Sequence, residues 1–363
     1  MTAFGSVGGA PSEARFSAGA PPHAPTWTEG AGSVEIVAPE CSEGRDGVSK
    51  VYSRACHPSA WQRIVDREYY ARAIRRAFNR LLREEIRPIL HESPPSLLLI
   101  LKGDWLDGDT ASMLKRTPVP VACWTYDSMG RCPMQRDLVQ LAAHTFCLDR
   151  GDALAAPEHR SWLPLGFDDQ IYANLNLKRD IDILFVGSLG SLYQNRIRFL
   201  ESLAASHLAA KARCALIGGT GNRFRDSRIR IGARVEWIAK RLPASELARY
   251  LNRSKITLNI HQDDGLQPVN HGFVSIPGTG TCQVAEKKEQ LRLLLRAGEE
   301  YVDFETGRLF ETLDSLLDDP EHIEKIAAKG RAAVHTRHTM KHRVQAILWR
   351  LRKRGILNRI QGA

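Results

Sequence analysis

The segment Leu184-Phe-Val-Gly187-Ser188-Leu-Gly190 runs an apolar stretch straight into glycines, and Arg196 and Arg198 follow where a helical pattern opens. Glycine lets a backbone approach a ligand closely, and a helix N-terminus offers unpaired N–H groups to an anion. Arg196 and Arg198 would neutralise a diphosphate there. A plain strand-to-helix packing turn explains the same letters. The spacing is not GxGxxG and no GxxxxGK[ST] occurs, which disfavours a P-loop NTPase.

Three other polar clusters close apolar runs. Gly218-Gly219-Thr220-Gly221 would reach a ligand or form a flexible loop, and arginines 223, 225, 228 and 230 after it read as a solvated stretch. In Asn259-Ile-His261-Gln-Asp263-Asp264 the aspartates suit a divalent cation through oxygen ligands, but without a separated third carboxylate a solvated turn fits better. His261 is the stronger site residue there, with a hydrogen-bonded structural histidine as the alternative. Ile276-Pro-Gly278-Thr279-Gly280-Thr281 offers small residues and hydroxyls that suit a phosphate, and ordinary turn chemistry uses the same residues.

These clusters need a frame that sets them side by side. From about Trp61 the pattern is helical, with Tyr70, Ile74, Phe78, Leu81 and Leu82 on one face and punctuation at Pro88 and Pro94-Pro95. Strand and helix patterns then alternate: strands at Ser96–Lys102, Val119–Tyr126 and Thr145–Asp149, helices near Thr110–Arg116 and Met134–Ala142. After Trp162-Leu-Pro-Leu-Gly166 a second series begins, with strands at Ile181–Val186, Cys214–Gly218, Arg234–Ile238 and Lys255–Ile260. Helices are expected near Asn195–Ala205, Ala244–Asn252, Lys287–Leu295 and Leu309–Leu316, and a long basic one from about Pro320. The strands are continuous apolar runs, as parallel strands covered on both faces are. The fold class is therefore α/β, with two Rossmann-like doubly wound domains. In such sheets ligands lie beyond the carboxyl ends of the strands, here expected in the cleft between the domains.

Composition narrows the function classes. The 363 residues are 43% hydrophobic with a formal net charge of +10, ordinary for a globular protein and open to nucleotides, nucleic acid or an anionic surface. Twenty of residues 1–32 are Gly, Ala, Pro or Ser, so that segment is expected to be disordered. Residues 33–165 then form an N-terminal domain, 166–335 a C-terminal domain and 336–363 a basic helix. The longest apolar stretch, Leu97–Leu101, is far too short to span a membrane. With no signal-peptide pattern and seven cysteines lacking any CxxC, the expected location is the cytoplasm. The tryptophans and arginines form no aromatic-basic array, so no specific nucleic-acid partner is expected. Residues 331–363 hold nine Lys/Arg and no Asp/Glu. Val344, Ile347, Leu348 and Leu351 stripe this stretch, which would contact an anionic membrane surface peripherally or, more commonly, pack on the protein.

Five stretches together resemble a known family: Leu99-Ile-Leu-Lys-Gly-Asp-Trp105, Val121-Ala-Cys-Trp-Thr-Tyr-Asp127, Trp162-Leu-Pro-Leu-Gly-Phe-Asp168, Asp182-Ile-Leu-Phe-Val-Gly-Ser188 and Ser254-Lys-Ile-Thr-Leu-Asn-Ile260. With Ile326-Ala-Ala-Lys-Gly330, His338-Thr339 and Arg343, their succession over roughly 95–350 resembles the CgeB-type (spore maturation protein-like) glycosyltransferases. The resemblance implies a GT-B fold: two Rossmann-like domains, a nucleotide-sugar held mainly by the second, and a last helix crossing back to the first. It also implies transfer of a sugar from a nucleotide-diphosphate donor to an acceptor hydroxyl, with no metal or other cofactor. The acceptor, whether saccharide, protein or small molecule, stays open. Gly187, Ser188 and Arg196 would line the diphosphate with Thr279 and Gly280, while Asn270 and Ser275 lie near nucleoside or sugar. His261 would be a polar contact in the cleft, and Asp127, at a strand's carboxyl end, the base on the first domain.

Two departures qualify the resemblance. The family's usual opening strand, glycine-rich turn and helix are replaced here by low-complexity sequence. Where related sequences read Asn-x-Arg-x-Phe-Glu-Ile-Pro, this chain reads Asn270-His-Gly272-Phe-Val-Ser275-Ile-Pro277. Ser275 thus stands for the glutamate that accepts hydrogen bonds from the donor, Gly272 for the arginine, and Gln267 for a second glutamate of more distant relatives. A serine lacks the charge-assisted strength of a carboxylate, a difference of about 1–2 kcal/mol. A GT-B scaffold that binds without turnover is therefore the alternative.

Overall fold

Residues 67–92 form one helix because Phe78, Leu82, Ile86 and Leu90 repeat every four positions and all four are buried. It runs through Pro88, expected as a break, and stops just before Pro94-Pro95. A computed structural model describes residues 2–7, 14–16, 34–39 and 67–357, apart from 104, 131, 133–134, 191–192, 221–225, 230, 262–268 and 306.

The chain divides into two units, Met1–Pro164 with Ala346–Ala363, and Leu165–Gln345. The first contains β1 (Thr2–Val7), β2 (Ala14–Phe16), β3 (Val34–Pro39), α1 (Arg67–Glu92), β4 (Leu97–Leu101), α2 (Gly108–Lys115), β5 (Val121–Trp124), α3 (Arg136–Leu141), β6 (His144–Cys147), α4 (Arg150–Leu154) and β7 (Arg160–Trp162). Its sheet has the order β2-β1-β3-β4-β5-β6-β7, with β3 to β7 parallel and β1 antiparallel to both neighbours. β1 and β2 fall within the stretch expected to be disordered. Composition averaged over that stretch hides the local strand formers Thr2, Phe4 and Val7. The rest of 1–32 lies outside the described residues.

The second unit contains β8 (Ile181–Val186), α5 (Gln194–Ala205), α6 (Leu208–Lys211), β9 (Cys214–Ile217), β10 (Val235–Ala239), α7 (Ala244–Asn252), β11 (Ser254–Asn259), α8 (Gly272–Gly278), β12 (Cys282–Glu286), α9 (Glu289–Arg292), β13 (Val302–Phe304), α10 (Leu309–Leu317) and α11 (Pro320–Arg337). All six strands are parallel, in the order β10-β9-β8-β11-β12-β13. Ile183, Phe185, Leu216, Leu258 and Val284 are at most 1% exposed, which is why these strands read as unbroken apolar runs.

The last helix, α12 (Met340–Lys353), begins in the second unit, and its residues from Ala346 belong to the first. The second unit extends past residue 335 because Arg343 donates to Leu165 O and His338 Nδ1, while Phe167 bridges to Thr339. Ile347 and Leu351 are buried, so the apolar stripe of α12 packs on protein. Among the described residues no helix is long and apolar enough to cross a membrane.

Candidate functional site

The order β10-β9-β8-β11-β12-β13 reverses direction between β8 and β11. Crossovers leave such a pair of strands toward opposite faces, so a crevice opens beyond their carboxyl ends. Gly187 and Ser188 follow β8 at that edge, and Ile260 and His261 follow β11. Gly187 leaves room for the next turn: a Cβ on Gly218, after β9, would fall 1.9 Å from Gly187 O, and Gly218 holds φ at +155. No side chain fits between these two backbones.

Arg196, third residue of α5, sits at the reversal and is 8% exposed. Its Nε donates to Ile260 O at 2.8 Å and its Nη1 to Ser188 O at 3.0 Å, with the guanidinium 4.1 Å from the centre of the Tyr193 ring. Asn195 adds Nδ2 to His261 O at 2.9 Å. The first turn of α5 thus ties the ends of β8 and β11 together. Arg196, expected to line a diphosphate, bonds the backbone at both strand ends.

His261 is 5% exposed. Its backbone N–H donates to Glu286 Oε2 at 2.8 Å, and its Nδ1 lies 3.4 Å from the same oxygen. Neither ring nitrogen has a hydrogen-bond partner among the described residues. Burial lowers its pKa, Glu286 opposes that shift, and the charges of Lys288 and Arg196 add to it. The ring is therefore a neutral buried imidazole beside a carboxylate. Glu286 and Lys288 were not singled out in the sequence. The available signal was Glu286 as the one charge ending the run Cys282-Gln-Val-Ala-Glu286.

Asn270 and Asn259 face each other as a reciprocal amide pair, Nδ2 to Oδ1 at 2.7 Å one way and 3.1 Å the other. Asn270 Oδ1 also accepts from Phe273 N at 3.1 Å, which anchors the start of α8 at this edge. Ser275 is 3% exposed within α8. Asp263, Asp264 and Gln267 lie outside the described residues. Among those described, no three His, Cys, Asp or Glu side chains gather as a metal site.

The structure does not bring Thr279 and Gly280 to Gly187. They precede β12, so they lie at the amino edge, whereas Gly187 follows β8 at the carboxyl edge. A five-residue parallel strand separates those edges by about 16 Å. Thr279 is fully buried and bonds Ile276 O and Thr281. The cause is α8, which carries the chain back across the sheet. Gly272, Pro277 and Gly278 make that helix read as a turn in the sequence.

Asp127 belongs to the first unit, just beyond the carboxyl end of β5, and its Oδ1 accepts from Ser128 N at 2.9 Å. Close by, a cavity of about 370 Å³ is lined by Met129, Arg136, Asp152 and Arg160 among others. Burial raises the pKa of Asp152 there. Cys123, Cys147, Cys214 and Cys282 are buried thiols pushed above their ordinary pKa by desolvation, and hence inert.

Residues 196–349 match a family model described as glycosyl transferase-like. The matched segment starts at the switch-point arginine and takes in His261, Asn270 and Glu286. No curated protein sequence matches the chain. Among solved structures, sucrose-phosphate synthase from Thermosynechococcus elongatus is similar with a TM-score of 0.57 at 14% identity, covering 76% of this chain and 78% of that one. The HepE protein of Anabaena, solved with UDP-glucose, also gives 0.57 at 14% identity, covering 75% and 82%. A glycosyltransferase from Rickettsia africae gives 0.56 at 9% identity, covering 79% and 82%. The fold is thus that of GT-B glycosyltransferases, with two Rossmann-like domains of parallel sheet.

Proposed function

We propose that the chain is a CgeB-type glycosyltransferase that transfers a sugar from a nucleotide-diphosphate donor to an acceptor hydroxyl. The donor is seated at the carboxyl edge of the second unit's sheet. The observation that carries this reading is position: the Gly187 turn, the Asn259–Asn270 pair and the His261–Glu286 pair gather where the strand order reverses. The glycosyl transferase-like segment and the UDP-glucose bound by HepE support it.

Group transfer from such a donor requires the leaving diphosphate to be stabilised in a pre-organised site. Lys288 supplies the cation, while Arg196 acts as a positioning residue through Ile260 and Ser188. Glu286 is the proposed carboxylate that accepts donor hydroxyls, with Ser275 near the nucleoside or sugar. Asp127 is the proposed base for the acceptor hydroxyl. The diphosphate charge is met without a metal ion, so transfer should persist in EDTA.

Calorimetric titration with UDP and UDP-glucose, followed by assays of donor hydrolysis and transfer, tests the reading. Lys288→Ala should weaken UDP about tenfold and uridine much less, since a hydrogen bond to a charged group contributes about 1.5–3 kcal/mol. Equal losses for both ligands would overturn the diphosphate assignment. Ser275 and Gly272, standing where the family has a glutamate and an arginine, favour one second reading, a scaffold that binds the donor without turnover. Tight UDP-glucose binding with neither hydrolysis nor transfer would select it.

A further inference from the structure

The second unit carries another cavity at the opposite, amino edge of its sheet, with a volume of about 720 Å³. One face of α11 forms its floor, where Ile323, Ala327 and Ala328 present small apolar groups. Pro320 and Ala332 mark its ends, twelve residues or about 18 Å apart along the helix. The facing wall comes from the segment before β8 and from Gly280.

Gly280 holds φ at +76, and a Cβ there would stand 3.3 Å from Asn174 Nδ2, 3.5 Å from Arg179 Nη2 and 3.5 Å from Arg331 Cδ. An amide and a guanidinium thus pack closely around Gly280, and with Arg331 they border the open space of the cavity. Arg179 donates to Ser254 O, Gly280 O and Thr281 Oγ1, all neutral acceptors, and burial lowers its pKa. Among the described residues no carboxylate is within ion-pair distance of Arg179 or Arg331. Lys255, also at the cavity, is paired with Asp182 at 2.7 Å, and Glu324 on the floor acts on Arg179 only at longer range. A half-buried guanidinium without a bonded counter-ion is costly, and an anion in that space would relieve the cost.

We propose that this groove binds an amphiphilic anion, with a phosphate monoester head among Asn174, Arg179 and Arg331 and an apolar body along Ile323, Ala327 and Ala328. The site is separate from the switch-point crevice and does not depend on the donor reading. An exposed cation with no ion-pair partner among the described residues, at one end of an apolar floor, distinguishes this chemistry from that of a plain phosphate.

The test titrates the full chain with octyl phosphate below its micelle-forming concentration, beside inorganic phosphate and octyl glucoside. Arg331→Glu and Ala328→Trp are the variants, since both positions are exposed and form no hydrogen bond that holds the fold. Octyl phosphate should saturate one site, with each variant weakening it about tenfold or more and both comparison ligands at least as much weaker. Thermal unfolding of the unliganded variants should match that of the unsubstituted chain. Sedimentation with vesicles of phosphatidic acid and phosphatidylcholine separates the sources. Binding lost in Arg331→Glu identifies a bilayer headgroup, and soluble-probe binding without vesicle binding identifies a free phosphate ester. Absence of octyl phosphate binding, equal affinity for inorganic phosphate, indifference to both variants or competition with UDP would each overturn the proposal.

Discussion

The two sheets share one construction and differ in strand order. In the first unit the parallel strands β3 to β7 stand in chain order, while in the second the order reverses between β8 and β11. Sequential order sends successive crossovers the same way and leaves no divergence between neighbouring strands. The reversal leaves one, and the second unit lines it with Arg196, Asn259, His261, Asn270 and Glu286. The first unit sets Asp127 at the end of β5, where its Oδ1 accepts from the neighbouring Ser128 N. Similar apolar strands therefore support different chemistry because their neighbours differ.

The largest test of this contrast lies in the glycines. Gly218 faces the main-chain oxygen of Gly187 at 1.9 Å from its would-be Cβ, whereas Gly103 in the first unit faces the side chain of Leu138 at 2.1 Å. A side chain can rotate away and a paired backbone cannot. Gly218→Ala should cost about 3 kcal/mol or more and abolish UDP binding. Gly103→Ala, at φ +67, should cost about 1–2 kcal/mol and leave UDP binding intact. Chemical denaturation with parallel UDP titration measures both, and equal losses would remove the distinction.

Acid should also separate the units. His271 and His338 in the second are pushed down to about 4, and His261 is lowered too. In the first unit His144 is pushed to about 4 by burial and by Arg354 and Arg350. A histidine whose folded pKa lies below its unfolded value near 6.5 contributes stability above that value. The contribution is lost as pH falls toward the folded pKa. Between pH ~7 and ~4 the second unit should lose more, several kcal/mol against a few. His338→Gln should flatten its slope, because Arg343 Nη2 lies 2.7 Å from His338 Nδ1 and opposes protonation there. Amide hydrogen exchange resolved by unit checks the order of loss.

A smaller effect contrasts two edge residues. Arg196→Ala removes the bonds to Ile260 O and Ser188 O, the first of them buried, and should destabilise the second unit by about 2–4 kcal/mol. Asp127→Ala removes the local bond to Ser128 N and should cost less than Arg196→Ala, while transfer falls if Asp127 is the base. A stability loss for Asp127→Ala as large as that for Arg196→Ala would show that the first unit's edge is also cross-linked. Unchanged transfer in Asp127→Ala would remove it as the base.

Most strands were legible because burial on both faces forces continuous apolar runs, as in Leu97–Leu101 and Ile181–Val186. Gly187 and His261 were legible as residues at the carboxyl edge of the sheet because each follows such a run. Thr279 and Gly280 were misread because α8 is seven residues long with Gly272, Pro277 and Gly278 in it, so no helical period marks the return across the sheet. Glu286 escaped notice because a single acidic residue after a strand carries no pattern of its own.

The sequence by itself determined the α/β class, since strand and helix periods depend only on neighbours a few residues away. Only the tertiary structure decided what those elements do together. Strand order brought Arg196 to Ile260, 64 positions along the chain, where its Nε bonds the Ile260 carbonyl. The same packing set Gly280 beside Arg179 and Arg331, at the edge opposite the one its letters suggested. Local propensity acts over one turn or one strand, whereas the edge a loop occupies depends on long-range pairing, which no short window of sequence contains.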